Sequence, residues 1–145
     1  MHLHHLGVVV NDLEETLEYY CEILGAKILW KEETPQQGSQ TDTIYGFKGT
    51  KVLVAGIELY GVMIEFFQLL SPRPVNDQGR SLSYETLGWK HLAFSVENIE
   101  HEVERLAERG VKFLFPIQTL PHGVKIVYFV DPNGIMLELI QPHEE

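Results

Sequence analysis

The chain has 145 residues, the size of one ordinary globular domain or of two small fused modules. Hydrophobic residues make up 44% of it, which is enough to bury a core. Its net charge of −10 comes without a stripe of Lys or Arg, which argues against nucleic acid and anionic membranes as partners. One cysteine, Cys21, excludes an internal disulfide and favours a cytoplasmic protein, and we expect neither a signal peptide nor a membrane span.

The first predicted element is a strand at 5–10, with the sequence HLGVVV, and a helix follows it. Asp12 is suited to the helix N-cap and Glu15 to its capping-box partner. Apolar residues then recur at helical spacing until Gly25, which is expected to end the helix. A short strand is predicted at 26–30.

The middle of the chain predicts a loop, a strand and a linker. The stretch 34–50 is rich in Gln, Gly, Ser and Thr, and we interpret it as a mobile loop or lid over the site. A turn at Tyr60 and Gly61 leads into a predicted strand with the sequence GVMIEFFQ. The Pro- and Gly-containing stretch 71–84 is the predicted linker.

The second half of the chain repeats the first. A strand beginning HLAFSV at His91 precedes a helical pattern that ends at Gly110, and a strand is predicted at 111–115. After a turn at 131–134, the sequence GIMLELIQ matches GVMIEFFQ with Gly, Met, Glu and Gln identical. Each half therefore reads strand, helix and about three more strands. We predict an α+β fold of two tandem β-α-β-β-β modules within one domain, at 1–70 and 85–145.

Four polar residues fall at repeat-equivalent positions of these strands: His5, Glu65, His91 and Glu138. Side chains alternate between the two faces of a strand. Each of the four polar residues therefore lies on one face, and larger apolar residues that a helix would cover lie on the other. The His and Glu faces also carry Gly7, Ala93 and Ser95, which are small enough to leave a cavity.

This pattern predicts a metal site. A buried carboxylate without a cationic partner is costly, and no Lys or Arg occupies the equivalent strand positions. A divalent ion would supply the missing charge, and imidazole with carboxylate oxygen suits Zn, Ni, Co, Fe or Mn. We predict that His5, Glu65, His91 and Glu138 bind one such ion, with positions left open for water or a small-molecule substrate.

Other residues are predicted to touch the substrate. Trp89, Met63 and Phe67 share faces with the candidate ligands and could line an apolar pocket. His122 falls in a loop that could reach the cavity. His4 is expected on the opposite face, at the surface.

The tandem modules resemble the vicinal oxygen chelate superfamily, which includes glyoxalase I, methylmalonyl-CoA epimerase and extradiol dioxygenases. The resemblance covers the whole chain and is most specific at HLGVVV, at HLAF and at YFVDPNG, which leads into Glu138. It implies curled mixed sheets around a metal cavity, and homodimers are common in that family. Carried over, the family's ligands are His5, Glu65, His91 and Glu138.

The resemblance implies a lyase or isomerase that moves a proton next to a carbonyl through a metal-bound enediolate or enolate. Glu138 or Glu65 would shuttle the proton. The ligand set resembles that of bacterial glyoxalase I, whereas the stretch 33–38 resembles an epimerase loop. Epimerases carry a catalytic Glu where Thr41 stands here, and Asp42 beside it would point away on a strand.

Two alternatives stay open at this point. An Fe(II)-dependent dioxygenase would use His5, His91 and Glu138, with Glu65 behind them. A metal-free pocket could instead sequester a small molecule, as in antibiotic-binding proteins.

Overall fold

The computed structural model describes residues 2–75 and 83–143. It divides into two compact units, 1–76 and 77–145. Residues 76–82 of the expected linker lie outside the described residues. None of the described helices is long and apolar enough to cross a membrane.

The described part of the first unit contains five strands and two helices. They are β1 (Leu6–Val9), α1 (Leu13–Glu22), β2 (Lys27–Lys31), β3 (Gln36–Gln37), α2 (Ser39–Tyr45), β4 (Lys51–Leu59) and β5 (Val62–Ser71). The sheet has the order β1-β5-β4-β2, and β3 also pairs with β4. Only the β1–β5 pairing is parallel among the described strands of this unit, so the sheet is mixed.

The second unit repeats this topology. Its elements are β6 (His91–Ser95), α3 (Ile99–Glu108), β7 (Gln118–Thr119), a 3₁₀ helix (Pro121–Gly123), β8 (Lys125–Val130) and β9 (Met136–Gln141). The sheet order is β6-β9-β8-β7, with β6 parallel to β9 and the other pairs antiparallel. The predicted α+β class with two mixed sheets is confirmed.

Both long helices begin with the same kind of cap. The Asp12 carboxylate accepts a hydrogen bond from the Glu15 backbone N–H at 2.9 Å, and the Asn98 side chain accepts one from His101 N–H at 2.9 Å. At the far end of α3, Gly110 has a positive φ of 87°, which lets the chain turn back after the helix.

Each of the two repeated glutamines makes the same contact in its own unit, which explains why a glutamine recurs at this position. Gln68 Oε1 accepts a hydrogen bond from the Leu13 N–H at 3.0 Å, and Gln141 Oε1 accepts one from the Ile99 N–H at 2.9 Å. Each glutamine belongs to the last strand of its unit and satisfies a free N–H in the first turn of that unit's helix. The glutamines therefore tie each helix to its sheet.

The core of the first unit lies between α1 and its sheet. Tyr20 packs against Phe66 with ring centroids 4.8 Å apart, and Phe66 and Ile64 are buried. Met63 and Glu65, at the alternate positions of β5, are only half-buried. This is the division of faces that the sequence predicts.

The strand predicted at 111–115 is wrong. Phe113 forms an isolated antiparallel bridge with Phe129, and the Leu114 N–H donates to a carbonyl of β8 at 2.8 Å. Pairing stops there because Pro116 has no N–H to donate and the chain bends before β7.

The stretch 34–50 forms regular elements where a loop was predicted, whereas its mobility and its role as a lid over the site stay predictions. It forms β3 and α2, and the Asp42 carboxylate closes it by accepting hydrogen bonds from the N–H groups of Gly49 at 3.0 Å and Thr50 at 2.8 Å. These two donors hold the pKa of Asp42 below its usual value. Thr41 is buried in α2, so the strand alternation expected for Thr41 and Asp42 does not apply.

Candidate metal and substrate site

The parallel pairing of β1 with β5 brings His5 and Glu65 together. Gly7 lies opposite Glu65, and His5 lies two residues before Gly7 on the same side of the sheet. His5 Nε2 is 3.4 Å from Glu65 Oε2. On the other side of the ring, His5 Nδ1 is 2.8 Å from Nδ1 of His4. His4 is exposed, as expected, but it contacts the candidate ligand, which the sequence did not indicate.

The second unit repeats this pairing in the same register. Ala93 lies opposite Glu138, and His91 lies two residues before Ala93. His91 Nε2 is 2.9 Å from Glu138 Oε2, and the Glu138 side chain is only 8% exposed. Burial raises the pKa of Glu138, and the nearby His91 acts in the opposite direction.

Two tyrosines surround the His91 ring. Tyr84 Oη is 3.1 Å from His91 Nδ1 and 3.3 Å from Tyr128 Oη. The Tyr128 ring packs on the His91 ring with centroids 5.2 Å apart, and Tyr128 pairs with Glu138 across β8 and β9. Burial, the hydrogen bond with Tyr84 and the charge of Glu138 raise the pKa of Tyr128 above its usual value, so its hydroxyl stays protonated.

The structure thus brings the four predicted ligands together as two pairs. Within 2–75 and 83–143, no three or more His, Cys, Asp or Glu side chains form a group that could hold a metal ion. Each pair nevertheless presents one imidazole Nε2 and one carboxylate oxygen. No Lys or Arg in the described part of the chain forms an ion pair with Glu138 or Glu65. The donors of each pair fit a divalent ion.

Apolar side chains flank Glu65 on its own strand. Met63 and Phe67 are half-buried on it, as the sequence predicts, although their contact with a substrate stays a prediction. Tyr45 of α2 packs against Phe67 with ring centroids 6.0 Å apart. The 34–50 segment therefore covers part of the face on which Glu65 lies.

Trp30 lies beside this face, and the sequence did not identify it as a site residue. Gly56 pairs with Trp30 on one side and with Glu65 on the other. A Cβ at Gly56 would lie 2.5 Å from Trp30 Nε1, so the indole ring covers the position that a side chain would fill. The signal that could have found it is a glycine inside the apolar run of β4, which often marks a close approach.

Glu32 is a further carboxylate near this face. Its N–H donates to the Val54 carbonyl at 3.0 Å, and its Oε1 accepts a hydrogen bond from Gln36 Nε2 at 2.6 Å. Its Oε2 is buried and has no hydrogen-bond partner in the described part of the chain. Burial raises the pKa of Tyr45, and the negative charges of Glu32 and Glu65 raise it further. Sequence reasoning missed Glu32 because it has no counterpart in the repeat.

Trp89 and His122 are the two remaining predicted substrate residues. Trp89 precedes β6 and is 95% exposed. His122 belongs to the short 3₁₀ helix, and its side chain lies outside the described part of the structure. Their roles stay predictions.

Comparison with known proteins gives this arrangement a family. The sequence profile of the Glyoxalase/Bleomycin resistance protein/Dioxygenase superfamily matches residues 2–139. The chain belongs to this superfamily. The resemblance predicted from the repeated His and Glu motifs is therefore confirmed.

Curated members of the glyoxalase superfamily resemble the chain along its length. It is 30% identical over 142 residues to a probable lactoylglutathione lyase of Synechocystis sp., covering 97% of this chain and 95% of the relative. It is also 30% identical over 146 residues to a 2-epi-5-epi-valiolone epimerase of Actinomyces sp., covering 95% of this chain and 78% of that protein. The superfamily relatives thus include enzymes named as a lyase and as an epimerase.

A solved structure supports the same fold. The glyoxalase family protein of Bacillus cereus aligns with a TM-score of 0.79 at 20% identity, covering 97% of this chain and 93% of that one.

Proposed function

We propose that this glyoxalase superfamily member is a divalent-metal-dependent isomerase or lyase that moves a proton next to a carbonyl group. The observation that carries the proposal is the His–Glu pair that recurs in both units with the same strand register, at His5 with Glu65 and at His91 with Glu138. The lyase and epimerase names of two relatives support the reaction class.

We assign one divalent ion, such as Ni, Co, Mn or Zn, to the four residues of these pairs. When bound, the ion supplies positive charge that polarises a substrate carbonyl and stabilises the negative charge developing on its oxygen. Glu138 suits the permanent ligand role because its side chain is nearly buried and lies 2.9 Å from His91.

We assign the proton shuttle to Glu65, with Glu138 as the second candidate. Glu65 is the more loosely held carboxylate, since it is 18% exposed and 3.4 Å from His5. It would take a proton from the carbon next to the carbonyl and return it to the substrate, so that one C–H bond breaks and another O–H or C–H bond forms without any oxidant.

The substrate is a small molecule whose apolar part would lie against Met63, Phe67 and Trp30, with Trp89 and His122 kept as further candidates. Trp30 is included because it packs over Gly56 beside Glu65. An apolar wall next to a few polar groups is typical of small-molecule sites.

Metal content is the first test. Untagged protein purified without chelator is measured by elemental mass spectrometry. We expect about one Ni, Co, Mn or Zn ion per chain. The variants His5→Ala and His91→Ala should lose this ion. Iron alone would favour the dioxygenase alternative. Protein that takes up no metal even on soaking would be a binding protein instead.

A matched pair of variants separates the two carboxylates. Solvent deuterium exchange is followed into lactoylglutathione and 2-epi-5-epi-valiolone, the compounds in the relatives' names. Glu65→Gln should keep metal and lose exchange by about 10²-fold or more, whereas Glu138→Gln should lose metal as well. Exchange at the wild-type rate in metal-loaded Glu65→Gln would remove Glu65 from the shuttle role.

We also propose a cytoplasmic homodimer, on the basis of the family resemblance and of the lone cysteine. Sedimentation should then give a mass about twice 16.6 kDa. Mixing His5→Ala chains with His91→Ala chains tests whether two chains share a site. Recovery of metal binding would mean that they do, and no recovery would mean that each chain supplies all its ligands.

A further inference from the structure

The candidate ligand His91 is held at both ring nitrogens. Nε2 faces Glu138 Oε2 at 2.9 Å, and Nδ1 faces Tyr84 Oη at 3.1 Å. Tyr84 Oη in turn lies 3.3 Å from Tyr128 Oη. These contacts form one continuous hydrogen-bonded row, which we call the tyrosine chain: Tyr128, Tyr84, His91 and Glu138.

No such row is formed by the residues of the first unit that the structure describes. There the Nδ1 of His5 is 2.8 Å from a second imidazole, that of His4. Both candidate ligands therefore have a partner at Nδ1, although the partners differ in kind and come from outside the repeated motif. A partner at the ring nitrogen that faces away from an ion fixes the tautomer and the orientation of a ligating histidine.

We propose that Tyr84 and Tyr128 are positioning residues for His91: they hold its ring through Nδ1 and leave Nε2 available to an ion. The inference rests on the proposed function, because it assigns the ion to Nε2. Neither tyrosine is assigned a contact with the substrate or with the ion.

The tyrosine chain can form its hydrogen bonds with either neutral tautomer of His91. While Nε2 donates its proton to Glu138, Nδ1 is an acceptor and the Tyr84 hydroxyl donates to it. If Nε2 offers its lone pair to an ion, the ring carries its proton on Nδ1. The Nδ1–H then donates to Tyr84 Oη, and the Tyr84 hydroxyl donates to Tyr128. A phenol hydroxyl can do either, since it is both donor and acceptor.

The two tyrosines differ in what else they do. Tyr128 also packs its ring on His91, at a centroid distance of 5.2 Å, and on Phe115 at 5.3 Å. Tyr128→Phe keeps that packing and removes only the hydroxyl. Tyr84 is 64% exposed, so Tyr84→Phe removes the Nδ1 partner with little effect on the core.

The test measures His91 in two ways. Long-range ¹H–¹⁵N NMR spectra report the tautomer of His91 in metal-free protein and after addition of Zn²⁺, in mildly alkaline buffer where free imidazole is uncharged. Competition with a chelator gives the affinity for Zn²⁺. The variants are Tyr84→Phe and Tyr128→Phe, and Tyr19→Phe on helix α1 is the matched control.

We expect wild-type His91 to carry its proton on Nε2 without metal and on Nδ1 with Zn²⁺. Tyr84→Phe should shift the Nδ1 resonance of metal-free protein and weaken Zn²⁺ binding about tenfold. Tyr128→Phe should have the same effect to a smaller degree, and Tyr19→Phe none.

Unchanged nitrogen resonances and unchanged Zn²⁺ affinity in Tyr84→Phe would overturn the inference. Failure of the metal assignment in the proposed function gives a different result, because wild-type protein would then bind no Zn²⁺ at all. In that case the metal-free spectra still decide whether Tyr84 holds the ring: a shifted Nδ1 resonance in Tyr84→Phe supports it and an unshifted one contradicts it.

Discussion

At the scale of single residues, Gly56 shapes the sheet face beside Glu65 by having no side chain. The Trp30 ring occupies the space where a Cβ would stand, 2.5 Å from Nε1. Both residues are fixed in this position by their pairing across β2 and β4. The aromatic surface next to the candidate site therefore depends on a glycine in a different strand.

Gly56→Ala should displace Trp30 and destabilise the protein by about 1–3 kcal/mol, since overpacking forces neighbouring side chains to move. Urea unfolding measures the loss, and Trp30 emission in a Trp89→Phe background reports the displacement. In a Trp30→Ala background the same substitution should cost much less. An equal cost in both backgrounds would show that the ring is not the group that clashes.

The candidate ligands could be chosen from the sequence because they recur. His5 and His91, like Glu65 and Glu138, stand at matching places in two similar motifs, and alternation along strands places them on shared faces. Glu32 has no counterpart in the repeat, and its nearness to the Glu65 face depends on pairing between strands that are distant in sequence. Repetition allows candidate residues to be identified from the sequence, whereas proximity between distant strands leaves no such signal.

At the scale of helices and strands, the two repeated glutamines make the same contact in both units. Gln68→Ala and Gln141→Ala should each cost about 1 kcal/mol, because each leaves a helix N–H without its side-chain acceptor. Thermal or urea unfolding measures the loss. Gln118→Ala is the control, since Gln118 is exposed and its side chain donates to the nearby carbonyls of Pro116 and Ile117. Similar losses for all three variants would contradict the capping role.

The segment between β3 and β4 should depend on pH through Asp42. The Gly49 and Thr50 N–H groups lower the pKa of Asp42 in the folded state, so folding favours the carboxylate. Its stabilising effect is therefore complete above the ordinary value of 3.8 and is lost as the pH falls through the lower folded value.

Asp42→Asn tests this dependence. It should lower the melting temperature at neutral pH and have little effect at a pH below the folded value, where the wild-type carboxyl is also uncharged. Melting temperatures of both proteins across acidic pH give the comparison. A constant difference between them down to the lowest pH would count against the role of Asp42 charge.

At the scale of the whole molecule, metal binding should stabilise the chain. An ion that binds only the folded state at 100 times its Kd adds about 2.7 kcal/mol to the free energy of unfolding. Chelator should therefore lower the melting temperature of metal-loaded wild-type protein. The melting temperature of His91→Ala should not respond to metal or chelator, and an equal response would contradict the ligand assignment.

The sequence by itself determined the repeat, the α+β class, the division of strand faces and the choice of four candidate ligands. These follow from local periodicity and from the similarity of two segments of one chain. Local pattern could not reveal that Pro116 and a bend limit the 111–115 strand to one bridge, or that the 34–50 segment contains β3 and α2 and is closed by hydrogen bonds to Asp42.

Only the tertiary structure decided the distances within each His–Glu pair, the covering of Gly56 by Trp30 and the tyrosine chain behind His91. Each of these joins side chains from elements that are separated in sequence. Their contacts are fixed by strand register and by the path of connecting segments, and neither property is encoded in the periodicity of any one element.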